Sequence, residues 1–425
     1  MSASAVQASP TTTPRVHRAW WVLVACCLMF GGIVGVIGNS AGIYLKPVSD
    51  ELGVSLASLN GYMTVVALVM TATLPVAGWV LPRVKVHVVL ALALTLGTGT
   101  YAMSALFTSL MHWYIAAIAL GISFGFLLYV PIPLLVNNWF HRRNGLAIGL
   151  TAAFASLVAA AVNPIGGALI SSIGWRETRA IMGVAAWVMS VPAVLLLVRY
   201  SPERMGLRPY GAEADEADAA AGVVIANAPV STLALADALR SVRFWLTMLL
   251  VGLFALGASM LQQTPSHASI VGLDAATGAA GVTAIMIGGI LGKLGLGWLH
   301  DRTGVVRTAV VSTALGVTGA AIVIISGDNA FGFLAGCFVF GGAYAGLTVV
   351  PPLTVRHFFG TTDYSRIYSL VTVSLGVFSA AAPLLYASIA DRSGSFTGAW
   401  LVAAGAYVVI ATLMLVVNAM ARRER

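Results

Sequence analysis

Long apolar stretches alternate with short polar ones along almost the whole of this 425-residue chain. An apolar stretch of about 20 residues is long enough to cross the hydrocarbon layer of a membrane as a helix. Twelve such stretches can be delimited, and together they predict an all-α membrane protein with 12 transmembrane helices. The predicted spans are 20–44, 57–81, 86–108, 112–138, 145–171, 178–199, 244–268, 276–299, 306–326, 330–355, 367–390 and 397–420.

A long polar segment separates the sixth predicted span from the seventh. It holds prolines, an acidic cluster and many small residues, a composition typical of a linker that stays partly disordered. The first apolar run is longer than the core of a typical signal peptide, so we interpret it as an uncleaved span rather than a leader. The predicted organisation is a tail at 1–19, a six-helix bundle at 20–200, the linker at 201–242, a second six-helix bundle at 243–420, and a tail at 421–425.

The composition agrees with this class and excludes several others. Hydrophobic residues make up 59% of the chain and charged residues 9%, whereas a soluble protein carries roughly 25% charged residues. The net charge of +8 comes from basic clusters at the ends of apolar runs, so we expect no nucleic-acid partner. The three cysteines show no disulfide or metal spacing, and no phosphate loop or nucleophile–base set is present. We expect no cofactor, no metal and no enzymatic activity.

The distribution of Lys and Arg predicts the orientation in the membrane. If both termini are cytoplasmic, eighteen of the 23 basic residues lie on the cytoplasmic side, four lie outside, and Lys293 lies within a span. This bias predicts a multi-pass protein of the cell (inner or plasma) membrane with its N- and C-termini in the cytoplasm. The four basic residues placed outside are Lys46, Arg176, Arg179 and Arg392.

The two halves of the chain repeat at a single offset of 219 residues. One offset that holds at well-separated landmarks indicates two parallel, pseudo-symmetric six-helix repeats. The offset maps Gly78-Trp79 onto Gly297-Trp298, Arg83 onto Arg302, Pro133 onto Pro352, Phe140 onto Phe359, and Asn163-Pro164 onto Ala382-Pro383.

This architecture resembles the major facilitator fold, whose substrate site lies between the repeats near the membrane midplane. The loop that begins at Gly297, GWLHDRTGVVR, resembles the superfamily signature, while the first-half copy has Pro82 in place of its Asp. The resemblance implies that acid and arginine latch the cytoplasmic side closed, so the missing acid puts the N-terminal latch in doubt. The alternative is that both loops merely carry positive-inside charge. The predicted gating residues are Gly78, Arg83, Gly297, Asp301, Arg302 and Gly304.

Three further stretches resemble the branch of this superfamily that contains oxalate/formate antiporters and monocarboxylate transporters. They are YLKPVSDELGVS from Tyr44, NWFHRRNGLAIG from Asn138, and GWR from Gly174. By this resemblance, Lys293 falls where the branch places a carboxylate-binding cation. Tyr44, Tyr129 and Tyr344 fall on cavity-lining tyrosines of the oxalate carriers.

Two positions depart from the branch. Leu375 stands where a dicarboxylate carrier has a second cation, and Gly289 stands where monocarboxylate carriers often have an aspartate. The resemblance therefore implies a single cation without its usual acidic partner.

Lys293 is also the clearest chemical signal in the residues themselves. It is the one charged residue of the eighth predicted span and lies eight residues before Asp301, which is about 12 Å of helix. A cation at this depth costs at least about 2.5 kcal/mol in lipid, so it is expected to face a cavity. Its repeat counterpart is Leu74. The alternative is a lysine that snorkels to the cytoplasmic face, but its reach is shorter than the depth.

Coupling to protons normally requires an acid or a histidine within the membrane. None of the fifteen Asp and Glu residues lies deep in a predicted span. The candidates are therefore His267 and Lys293 itself, because burial disfavours a charged lysine and an arriving anion favours it. Exchange of one anion for another would use the same residues without a proton.

Polar amides offer further hydrogen bonds to a substrate or between helices. We predict Asn39 and Gln263 as substrate ligands and interpret Asn60, Asn163 and Gln262 as interhelical contacts.

Together these observations predict a secondary transporter of small organic monocarboxylates that works by alternating access as a monomer. Two alternatives remain: an efflux carrier for neutral or anionic drug-like compounds, and a non-transporting sensor on the same fold.

Overall fold

The structure is a computed structural model that describes residues 17–220 and 232–423. Most of the predicted N-terminal tail, the middle of the predicted linker (221–231) and the last two residues lie outside the described ranges. Twelve helices are long and apolar enough to cross a membrane: α1 Arg18–Leu52, α2 Ser58–Val80, α3 Val86–Leu106, α4 Leu110–Trp139, α5 Asn144–Ile173, α6 Trp175–Leu197, α7 Val242–Ile270, α8 Ala276–Thr303, α9 Val305–Ser326, α10 Ala330–Phe359, α11 Tyr364–Ser393 and α12 Thr397–Arg423.

Each predicted span corresponds to one of these helices, which confirms the all-α membrane fold. The largest difference is at α1, which we predicted to end at residue 44 and which continues to Leu52. Lys46 and Asp50 form an ion pair one turn apart that supports the additional turns. Gly53 then ends the helix in the left-handed conformation, with φ 64°.

The first helix of each half is interrupted at equivalent positions. In α1 a π-helical segment, Gly31–Gly38, leads into a turn at Ser40, and in α7 the helix breaks at Ser259. Ser40 and Ser259 are 219 residues apart, and each hydroxyl donates to the carbonyl four residues earlier in its own helix. Interruptions of this kind free backbone groups and often mark functional positions in membrane helices.

The helices pack as two halves, which we name the N-half (α1–α6) and the C-half (α7–α12). The main helix contacts between the halves are α5 against α8 and α2 against α11. We name the end of the bundle where α1 begins and α12 finishes the terminal end, and the opposite side the far end.

The halves are packed together at the terminal end and separated at the far end. Helix α5 is almost entirely buried as far as Ser156 and mostly exposed beyond it. Helix α11 shows the same change after Leu375, which lies 219 residues later. The two switches in burial place the floor of the opening at the level of Ser156 and Leu375.

The described parts of the linker bind both halves at the terminal end. Tyr210 pairs with Phe140 at the end of α4, and Leu233 donates from its backbone N–H to the Phe359 carbonyl at the end of α10. Arg142 forms ion pairs with Asp215 and Asp218 of a short linker helix. These carboxylates raise the pKa of Arg142, which lies outside the spans.

Candidate functional site

Asp301 closes the terminal end by binding across the two halves. Its carboxylate accepts hydrogen bonds from the backbone N–H groups of Gly145 and Leu146, each at 2.9 Å. These two groups belong to the first turn of α5, where N–H donors have no partner within the helix and the helix dipole favours a negative charge. The acid of the C-half signature therefore caps a helix of the N-half.

The repeat-related contact uses different chemistry. Pro82 occupies the position of Asp301 and cannot accept a hydrogen bond through a side chain. Instead, the Ser365 hydroxyl at the start of α11 donates to the Gly78 carbonyl at 3.0 Å. The terminal end is therefore closed by a charged contact on one side of the repeat axis and by a neutral one on the other.

The signature glycines are explained by close helix packing. A Cβ on Gly78 would overlap Ser369 on α11, and a Cβ on Gly297 would overlap the Gly145 backbone on α5. Gly304 joins α8 to α9 with φ 84°, a conformation that other residues rarely adopt.

The two predicted signature arginines bind locally. The Arg83 guanidinium lies over the Trp79 ring at 4.5 Å, and that of Arg302 lies over the Trp298 ring at 4.1 Å. These stacks repeat at the 219 offset, and they make each arginine part of its own loop.

A buried arginine also joins the halves on the repeat axis. The Arg356 side chain on α10 donates to the Asn137 amide oxygen on α4 at 3.3 Å, and the two residues are 219 apart. Residues related by a two-fold repeat meet only where the axis passes, so this contact marks the axis at the terminal end.

Lys293 lies at the floor of the opening and contacts the opposite half. Its ammonium group donates to the Ser156 hydroxyl at 2.6 Å and to the Ala152 carbonyl at 3.4 Å, both on α5. It also lies 5.8 Å from the centre of the Tyr344 ring. The side chain is 6% exposed, and no ion pair within residues 17–220 and 232–423 includes it.

The Tyr344 ring occupies the space beside Gly289, where related carriers have an acid. A Cβ on Gly289 would lie 3.2 Å from the ring. A larger side chain there would therefore displace the tyrosine from Lys293. The missing acid and the nearby tyrosine are two parts of one arrangement.

Tyr129 and Tyr368 lie next to this site. They line a small cavity of about 40 Å³ between α1, α4, α5, α10 and α11, and Ala152 is part of its wall. Tyr129 is also close enough to Tyr344 for their hydroxyls to interact electrostatically. The structure thus brings together three of the predicted site residues, Lys293, Tyr129 and Tyr344.

Tyr44 does not line the opening in this structure. It is 1% exposed and packs inside the N-half against Tyr101, with ring centres 6.1 Å apart. The Arg179 guanidinium lies over both rings and over Trp113 at 4.0 to 4.9 Å, and it donates to Ser104. Arg179, which we predicted at the outer surface, is 2% exposed because α6 begins at Trp175 rather than at residue 178. The role of Tyr44 as a substrate ligand stays a prediction.

His267 is enclosed within the C-half. It is 1% exposed and its ring lies about 6 Å from the ring centres of Phe333 and Trp400. Asn39 is exposed and Gln263 is half-buried. No hydrogen bond within the described ranges joins these three side chains to Lys293.

Two site residues, Ser156 and Tyr368, escaped the sequence prediction. Serine in an apolar helix is common and carries no signal by itself. The repeat offset provides one, because Ser156 is the counterpart of Leu375, a position that already stood out.

Gly149 is expected to be essential for the placement of Lys293. A Cβ on this residue would overlap the Lys293 carbonyl oxygen, so Gly149→Ala forces α5 and α8 apart. Overpacking of this kind costs about 1–3 kcal/mol. We expect a lower unfolding temperature and slower uptake in reconstituted vesicles. Gly167→Ala on the exposed part of α5, where no atom lies within 4 Å, is the matched control and is expected to be neutral.

The fold and the signature loops define a transporter of the Major Facilitator Superfamily. The sequence matches this family over residues 22–355, and the chain belongs to it. An uncharacterized transporter from Escherichia coli K12, YhjX, is 24% identical over 380 residues, covering 87% of this chain and 88% of that protein. The oxalate:formate antiporter of Oxalobacter formigenes is 24% identical over 437 residues, covering 97% and 94%. Human monocarboxylate transporter 11 is 23% identical over 406 residues, covering 90% and 79%.

The solved structures show the same fold. The transporter FucP in its outward conformation aligns with a TM-score of 0.67 at 15% identity, covering 93% of this chain and 98% of that one.

Proposed function

We propose that this chain is a secondary transporter of small organic monocarboxylates that works by alternating access. The observation that carries the proposal is the environment of Lys293. The ammonium group lies at the floor of the opening between the halves, and its two hydrogen-bond partners are neutral. A buried cation without a counter-ion is costly, and a carboxylate that pairs with it removes that cost.

The number of cations limits the substrate class. Leu375 is buried where a dicarboxylate carrier has its second cation, so one carboxylate is paired and a second would remain unpaired. The names of two relatives, an oxalate:formate antiporter and a monocarboxylate transporter, support small carboxylates as the class. Tyr129 and Tyr344 beside the ammonium supply hydroxyl and ring surfaces to the body of the substrate.

The same site supports two coupling schemes. In the first, Lys293 takes up a proton together with the anion, and the two cross as a neutral pair. In the second, the ammonium stays charged and returns only with another anion. We place coupling at Lys293 rather than at His267, because the His267 ring is enclosed by aromatic side chains of the C-half.

The terminal end is proposed to face the cytoplasm of a cell membrane. Eighteen of the 23 Lys and Arg residues then lie on the cytoplasmic side. In that orientation the opening to Lys293 faces outward, and the contact between Asp301 and α5 is the closed inner gate.

Counterflow in proteoliposomes tests the proposed function. Vesicles loaded with unlabelled monocarboxylate are expected to accumulate labelled monocarboxylate, and to accumulate dicarboxylates and neutral amphiphiles weakly. Accumulation of neutral amphiphiles alone would favour a drug carrier, and binding without accumulation would favour a sensor. An imposed inward proton gradient is expected to accelerate uptake by a symporter, whereas an exchanger requires anion in the lumen and ignores the gradient.

A second cation at Leu375 is expected to change the substrate class. Leu375→Lys adds a buried positive charge to the other side of the repeat at the same level as Ser156. We expect the ratio of dicarboxylate to monocarboxylate uptake to rise by about tenfold, the effect of one additional charged hydrogen bond. Leu375→Met is the size-matched control. An unchanged ratio in the lysine variant would contradict the single-cation argument.

A further inference from the structure

We propose that Ser156 is a second carboxylate ligand, and that the substrate bridges this N-half hydroxyl to Lys293 of the C-half. The proposal rests on the proposed function and assigns the recognition of the carboxylate to a pair of donors from opposite halves.

The geometry of the two donors suits one carboxylate. The Lys293 nitrogen and the Ser156 oxygen lie 2.6 Å apart, and two adjacent donors can bind the two oxygens of one carboxylate together. Lysine has three N–H donors, of which two point to Ser156 and Ala152. The third is available to a substrate.

The hydroxyl proton of Ser156 is also available. In the ligand-free structure it points to the Ala152 carbonyl of its own helix at 3.3 Å, which is longer than the usual 2.5–3.0 Å of an O–H···O bond. A carboxylate is the stronger acceptor, because charge-assisted bonds are about twice as strong as neutral ones. The hydroxyl can therefore turn to the substrate while its lone pair keeps the bond from Lys293.

The position of Ser156 makes it reachable from the far end. The burial of α5 changes immediately after this residue, so Ser156 and Lys293 together form the floor of the opening. An anion that enters from the far end meets both donors at once.

The repeat provides an internal comparison. The counterparts of Lys293 and Ser156 are Leu74 and Leu375, and both leucines are buried. Both members of the pair are polar on one side of the molecule and apolar on the other. Ser156 thus differs from its counterpart where Lys293 does, as expected if the two act together.

A carboxylate that joins the halves also connects binding to movement. Separation of α5 from α8 at this level breaks either the serine or the lysine contact. The bound anion is therefore held by both halves only while the floor is closed.

Kinetics of Ser156→Ala test this proposal. We expect the KM for a small monocarboxylate to rise about tenfold, the effect of one hydrogen bond to a charged group, with Vmax changed less than about twofold. Ser156→Thr keeps the hydroxyl and is expected to restore the KM to near the wild-type value. Ser374→Ala is the matched control, because that buried hydroxyl donates only within its own helix, to the Val371 carbonyl.

The outcomes separate this proposal from the proposed function. If the wild type transports no carboxylate, the proposed function fails. If Lys293→Met loses uptake while Ser156→Ala keeps the wild-type KM, only the role of Ser156 is wrong. Equal losses in Ser156→Ala and Ser156→Thr would indicate a packing role and would also overturn it. Where Ser156→Ala does not fold, Ser156→Cys, which keeps the size but donates weakly, gives the same comparison.

Discussion

Lys293→Met is expected to reduce monocarboxylate uptake by at least about a hundredfold, the upper range for loss of one hydrogen bond between charged groups in a buried site. The ammonium is 6% exposed and lies at the floor of the opening. Without it, a carboxylate would have to leave water for a site with no positive charge. Initial uptake rates in proteoliposomes that contain equal amounts of protein measure the effect.

The same variant is expected to remain folded. Methionine keeps most of the stem that packs between α5 and α8, and replacement of a buried charge by an apolar side chain is often neutral or stabilising. The unfolding temperature of the ligand-free protein should therefore not fall. A large loss of stability would indicate that Lys293 is mainly structural, and undiminished uptake would exclude it as the carboxylate ligand.

Asp301→Ala is expected to open the terminal end. The carboxylate accepts two backbone hydrogen bonds from the first turn of α5, and loss of hydrogen bonds to a charged group costs about 1.5–3 kcal/mol. That cost falls on the state in which the halves touch at the terminal end. The equilibrium between the two states should shift by roughly 10- to 100-fold towards separation of the halves.

Distances between spin labels measure this shift. Labels at the exposed positions Lys85 and Arg307, one in each half, are expected to show an additional longer distance in Asp301→Ala. Asp274→Ala is the matched control. Asp274 accepts a backbone hydrogen bond at the other end of α8, but from Thr277 of the same helix. An unchanged distance distribution in Asp301→Ala would show that the signature acid does not hold the gate.

The fold followed from the sequence because two strong patterns agree. Twelve apolar runs of spanning length predict the helices, and one offset of 219 residues predicts how the halves repeat. The ends of the helices were less predictable. Helix α1 extends eight residues past its predicted end because an ion pair between Lys46 and Asp50 stabilises a polar extension, which hydrophobicity alone does not reveal.

The site was predictable only in part. Lys293 stood out because a charge in an apolar span is costly, and the family resemblance pointed to Tyr129 and Tyr344. The partners of Lys293 depend on how α5 packs against α8, which no local pattern specifies. For the same reason the sequence did not predict that Tyr44 packs under Arg179 inside the N-half, or that His267 lies between aromatic rings.

The departures from repeat symmetry are the most informative residues of the chain. Where the halves are alike, as at the interruptions near Ser40 and Ser259, the repeat builds the scaffold. Where they differ, as at Lys293 and Leu74 or at Asp301 and Pro82, one side acquires a charge that the other lacks. Both charges bind across the interface to α5, one at the floor of the opening and one at the gate.

The most direct test of carboxylate binding at Lys293 is ligand-dependent stability of the purified protein. Binding raises the unfolding temperature by mass action, so a panel of monocarboxylates, dicarboxylates and uncharged amides can be compared in wild type and Lys293→Met. We expect concentration-dependent stabilisation of the wild type by monocarboxylates, weaker effects of the other two classes, and none in the variant. Equal stabilisation of wild type and Lys293→Met by monocarboxylates would contradict the account.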